Sequence, residues 1–315
     1  MKEDIRVEYI NLHEYPVNIV LDSLLEDKTT KRNIIFATNS YAESDASIDE
    51  KTAITSELLL GFDDCIIQPR VCKSIKQQIE RTQKKAEVFT PSWICNKMNN
   101  HCDAEWFGKD GLFNTEIEQG WIVNSKKIPF SSEMDWQKYV DSKRLEITCG
   151  EAPYIVSRYD ASTGELIDVK NRIGILDRKL RVVNENTDTE DEWLKWVIRA
   201  YQSVYGYEFQ GDNLLIARIN LLNTFVDYMQ DRWGRVPTKG EIKKLTNIIV
   251  WNLWQMDGIT GVIPYTKPVE DYQQINFFDF IEGEKCDDSE SVDCRIFDWR
   301  SNESITYRSL KEGRQ

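Results

Sequence analysis

VYGYEFQGDNLLIARINLL, residues 204–222, is the stretch from which the fold can be read. VYGYEF has the aromatic and β-branched content of a short strand, and the apolar residues that follow recur at helical spacing as far as Trp233. A strand that passes within a few residues into a long helix is the repeating unit of an α/β sheet. The flanks carry the same alternation. Upstream, Leu145 to Cys149 is a compact apolar strand that breaks at Gly150, and EDEWLKWVIRAY reads as a helix whose acidic first turn suits the helix dipole. Downstream, a helix begins near Thr238 and its apolar end runs into VWNLWQMDG. Strand, helix, strand, helix, strand predicts an α/β fold with crossover connections.

Further out, IRVEYINL, VNIVLDSLL and NIIFATNSYA alternate apolar runs with polar breaks, so residues 1–69 are expected to form N-terminal strands and a helix. Helical periodicity runs from Glu57 to Met98. Within it, Arg70, Lys73, Lys76, Arg81, Lys84 and Lys85 stand against the single acid Glu80, which fits either a solvated helix face or a phosphate-facing patch. The core is expected to span 70–277. Scattered aromatics among Gly and Pro mark 100–141 as an insertion of irregular structure or short hairpins, and YDASTGELIDV reads as two short strands around Gly164. Residues 278–293 hold seven acids and one base, the composition of a linker, ahead of a C-terminal segment 294–315.

The 315 residues carry 53 acids and 40 bases, a formal charge of -13, which excludes a basic nucleic-acid-coating protein. Any DNA contact must be local or shared with a partner. No run of about eighteen apolar residues occurs, and MKEDIRVEYI lacks a signal-peptide core, so a cytoplasmic chain without a membrane partner is expected. The odd count of seven Cys points to reduced thiols. Cys65/Cys72 and Cys95/Cys102, the latter beside His101, lack a CxxC knuckle, so no metal is expected.

Ligands of open α/β sheets bind beyond the carboxyl ends of the strands. Three such ends stand out: Glu146 to Tyr154 with its glycine turn, Glu208-Phe209, and Asp257-Gly258. A glycine lets backbone approach a ligand, an acid on the next strand can accept both hydroxyls of a ribose, and a further acid completes a nucleoside pocket. Each of the three could equally be a plain turn or a helix cap.

Three segments together resemble the S-adenosylmethionine-dependent adenine-N6 DNA methyltransferases, including restriction-modification subunits. Lys85 to Ile94, with Phe89-Thr90-Pro91, is similar to their "G-x-x-[FY]-T-P" element. Leu145 to Tyr154 is similar to "D-P-A-C-G-x-G-x-[FL]", and residues 204–222 to their second strand and helix. The resemblance covers about Arg70 to Gly258 and implies a Rossmann-like methyltransferase sheet binding S-adenosylmethionine. It places Phe89, Thr90 and Pro91 at the methionine end, and Glu146, Thr148, Cys149 and Gly150 in the loop beneath the cofactor. Glu208, with Phe209 beside it, would take the ribose, and Asp257 the adenine.

Two features depart from the pattern: Glu146 stands for Asp, and Ala152-Pro153 replaces the second glycine. The family's catalytic [DNS]-P-P-[YFW], which holds a flipped adenine, is absent. Asn39 with Tyr41, or Asp298 in the CRIFDW segment, offers a partial substitute, the first implying a permuted order. Few residues follow CRIFDW, so the sheet is either completed by N-terminal strands, incomplete, or completed by another chain. The resemblance thus implies a DNA adenine methyltransferase acting with a specificity or other partner subunit. Its alternative is a catalytically inactive cofactor-binding regulatory or anti-restriction protein.

Overall fold

A computed structural model describes residues 9–42, 46–61, 67–85, 87–88, 90–266 and 292–311. In chain order the elements begin with α1 (Leu21–Leu25), β1 (Glu26–Asp27), β2 (Arg32–Asn33), α2 (Ser56–Leu60) and α3 (Ile75–Lys85). Next come α4 (Ser92–Phe107), β3 (Asn114–Ile117), β4 (Gly120–Val123), α5 (Glu133–Asp141) and β5 (Arg144–Ile147). The sheet region continues with α6 (Ile175–Asn186), α7 (Glu190–Tyr201), β6 (Val204–Glu208), α8 (Gly211–Trp233), α9 (Lys239–Asn252) and β7 (Leu253–Gln255). A hairpin, β8 (Arg295–Asp298) and β9 (Glu303–Thr306), leads into α10 (Tyr307–Lys311).

The chain is mixed α/β, and its centre is a parallel three-stranded sheet in the order β5-β6-β7. All five residues of β6 are buried, as the middle strand of a sheet covered on both faces requires. The strands are laid down in one direction, and right-handed crossovers then place every connecting helix on the same face. There Val204 and Leu253 join the main core with α6, α7, α8 and α9. The opposite face, with Tyr205, Tyr207, Trp254 and Met256, is covered by Ile296 of β8 and Tyr307 of α10.

Several expectations are corrected. Among the described residues no N-terminal strand completes the sheet: β1 and β2 pair with each other, VNIVLDSLL forms a helical turn and α1, and residues 1–8 lie outside the described residues. Region 100–141 holds a short hairpin, one of the two forms expected for it: β3–β4 lies between the end of α4 and α5. A single bridge, Tyr159 to Leu166, stands where two strands were expected around Gly164. Residues 278–291 of the expected acidic linker lie outside the described residues. Among the described residues no helix is long and apolar enough to cross a membrane.

Candidate cofactor site at the carboxyl ends of the strands

The turn after β5 is built around two buried carboxylates. Glu146 points to the helical face and accepts the Tyr154 and Ile155 amides at 3.4 and 3.2 Å, tying down the loop that starts at Gly150. Gly150 adopts φ +53°, a left-handed conformation that favours glycine. Its amide donates to Glu208 Oε2 at 2.9 Å, while Glu208 Oε1 accepts the Gln210 amide at 3.1 Å. Burial raises both acids: Glu146 well above the usual carboxylate range and Glu208 to about 7. Cys149 is buried beside them and its thiol is pushed up, first by burial and then by the two carboxylates. Thr148 is exposed.

Thr90 and Pro91 reach the same end. Pro91 caps α4, the Thr90 side chain bonds the Tyr154 phenol, and the Ser92 amide donates to Asp160 at 2.7 Å. Phe89 lies outside the described residues. Asp257 follows β7, whose neighbour Met256 donates its amide to Glu208 O at 3.0 Å. Its Oδ1 accepts the Ile259 and Thr260 amides, so Asp257 shapes a turn that leaves Ile259 92% exposed. Phe209 is half-buried, edge-on to Tyr265. One end of the sheet therefore gathers Thr90, Pro91, Glu146, Thr148, Cys149, Gly150, Glu208, Phe209 and Asp257.

The catalytic candidates separate. Asn39 is exposed on a turn that runs past the ends of β6 and β7: Gln255 bonds Ile35 through both its amide and its carbonyl, and the Gly211 amide donates to Phe36 O. Tyr41 is on the same turn but buried, its ring against Phe36 and its hydroxyl donated to Asp212 at 2.6 Å. A ring so enclosed cannot stack on a base, and Tyr41 is withdrawn as a catalytic residue. Asp298 is withdrawn too, because it sits at the wrong end of the sheet. It pairs with Lys143, just ahead of β5, and neighbouring Arg300 holds Asp141. The length of β5 separates it from Gly150.

A second network beneath the site has no counterpart in the sequence reading. Arg81 is buried, with Nε on Glu87 at 2.6 Å and Nη1 2.8 Å from Asp212, and Lys73 lies 3.6 Å from the same carboxylate. Burial opposes the charge of Asp212, but Arg81 and Lys73 outweigh it and hold the carboxyl below its ordinary value. Arg70 turns inward as well, its amide on Glu151 at 2.6 Å and its guanidinium on Thr82. For Arg70, Lys73 and Arg81, then, neither a solvated face nor a phosphate-facing patch describes the basic stretch; Lys73 and Arg81 brace the first turn of α8 at Asp212, and Arg70 ties Glu87 and Thr82 together. Nothing in the one-letter pattern distinguishes them from their exposed neighbour Lys76.

No protein-family profile, no curated protein and no solved structure matches this chain.

Proposed function

We propose that this chain is an S-adenosylmethionine-dependent DNA adenine-N6 methyltransferase of restriction-modification type, with a Rossmann-like cofactor sheet and DNA recognition shared with a partner subunit. The observation that carries the reading is the Gly150 amide on the Glu208 carboxylate, across the ends of adjacent parallel strands. That contact sets a close-approach turn beside an acid able to take a ribose, and Asp257 follows on the third strand. Bound there, the cofactor would supply the methyl group. Gly150 would admit it, Glu208 would accept its hydroxyls, and Thr90 with Pro91 would bound its amino-acid end. Asn39 is the remaining side chain with the chemistry to hold an adenine amino group at this end of the sheet. Rate would come chiefly from positioning.

The burial of Tyr41 and the remoteness of Asp298 favour a second reading, in which the pocket binds the cofactor without chemistry and the chain is a regulatory or anti-restriction protein. Calorimetry with S-adenosylmethionine and its demethylated product tests both readings. Binding that weakens at least about tenfold in Glu208→Ala is expected, and absence of binding by either compound removes both. Methyl transfer to adenine-containing DNA that is lost in Asn39→Ala selects the enzyme.

A further inference from the structure

Among the described residues the β5 edge of the sheet carries no further strand. Arg144 donates its amide to Ser203 O at 2.9 Å, toward β6. Successive residues of a strand turn their N–H and C=O groups to opposite edges, so Leu145 and Ile147 present theirs away from β6. Among the described residues no strand pairs there. The side chains are as open as the backbone, with Leu145 42% and Ile147 66% exposed. Folded proteins blunt such edges with prolines, bulges, inward charges or a covering loop. Here Lys143, just ahead of the strand, is engaged by Asp298 at 3.1 Å, and Arg144 opens the strand itself.

Beside this edge, on the face where Leu145 points, lies an apolar cavity of about 190 Å³. Leu145, Tyr205, Trp254, Ile296, Ile305 and Leu310 supply its apolar lining, Lys143, Arg144 and Asp298 add charged groups to it, and Leu310 is 55% exposed. A single water needs roughly 10–15 Å³ of such space, so the cavity is sized for a large side chain. An open row of amides and carbonyls next to an apolar pocket is the arrangement by which proteins bind extended peptides. Main-chain bonds give affinity, and alternate side chains, dropping into pockets, give selectivity.

We propose that the free edge of β5 accepts an extended strand from a partner protein, with a large apolar side chain of that strand seated in the cavity beside Leu145. Unpaired main-chain donors and acceptors in alternation call for another polypeptide backbone, and the apolar lining calls for a side chain such as Leu or Phe. The proposal names where the partner of the methyltransferase reading would join, but it stands on the edge itself.

The test uses the full chain and short synthetic peptides of alternating threonine and apolar residues, identical except for Leu, Phe or Ala at the centre. The Leu and Phe peptides are expected to bind roughly tenfold or more tightly than the Ala peptide, reflecting the methylenes buried. Leu145 and Ile147 amides should become protected from hydrogen exchange on binding. Ile147→Pro should abolish binding, because its ring removes an outward N–H and leaves the bonds to β6 in place. The exchange measurement on the unsubstituted chain decides the matter if that variant does not fold. The proposal is overturned if no peptide binds at ~1 mM, or if both amides are already protected in the free chain. It is equally overturned if sedimentation shows a dimer that Ile147→Pro dissociates, since the occupant is then a second copy. Cofactor calorimetry on the same samples keeps the two proposals apart, because loss of cofactor binding bears on the methyltransferase reading alone.

Discussion

Glu208 is the residue at which stability and the proposed cofactor binding meet. Its carboxyl stands at about 7 in the fold, against roughly 4.3 in an unfolded chain. The folded state holds the proton more tightly, so this group's contribution to stability is full below about pH 4 and is lost as pH rises through 7. Between pH 5 and 8 the native chain should lose roughly 2–3 kcal/mol that a Glu208→Gln variant keeps, measured by urea unfolding of both proteins. Cofactor affinity should run the other way. If the ionised carboxylate receives the ribose hydroxyls, binding strengthens about tenfold from pH 6 to pH 8, and a flat calorimetric profile would exclude that role. Asp212 behaves oppositely, since it is held ionised by Arg81 and Lys73. Asp212→Ala removes the carboxylate shared by Lys73 and Arg81, leaving Arg81 with Glu87, and should cost about 3–5 kcal/mol by the same unfolding measurement. Glu208 and Gly150 were legible in the sequence because each ends an apolar run. Asp212 and Arg81 were not, because a buried ion pair between residues 131 positions apart leaves no local pattern.

Among the elements, the step from β6 into α8 is the most constrained. A Cβ on Gly211 would lie 2.0 Å from Ile35 O, so the N-terminal segment rests directly on the helix start. Gly211→Ala should displace that segment, with Asn39 on it, and lower the thermal midpoint by several degrees in a melting experiment. Helices α7, α8 and α9 were readable from apolar periodicity and capping. Helix α6 was missed, and its charged Asp177, Arg178 and Lys179, residues that read as solvent-facing, are buried in the fold. Arg178 reaches Asp103 at 2.5 Å and Lys179 donates to Ser203 at 2.6 Å, partners from remote segments. VNIVLDSLL shows in sequence only an apolar run with a polar break, and in the fold Leu21, Leu24 and Leu25 bury one side of α1.

At the scale of the whole molecule, Arg218 ties the N-terminal segment to the sheet. Fully buried, it donates to Leu253 O from Nε and Nη2, and to Leu24 O and Glu26 O from Nη1. Its four bonds all go to main-chain carbonyls, so no exchange of acids elsewhere can replace it. The alternation of three strands with helices was legible in the apolar runs, and the order β5-β6-β7 came from the structure. The separation of β1 and β2 from that sheet was not legible, because short strands reveal a partner only through tertiary contact. Placing all the crossover helices on one side has a consequence for how the protein is made. A ribosome synthesising the chain releases the strands and their helices well before Ile296 and Tyr307, so Tyr205, Tyr207 and Trp254 remain uncovered until the last segment emerges. The cavity beside β5 does not exist in that interval. Translation order thus acts as a timer, withholding the partner's seat until the sheet behind it is complete.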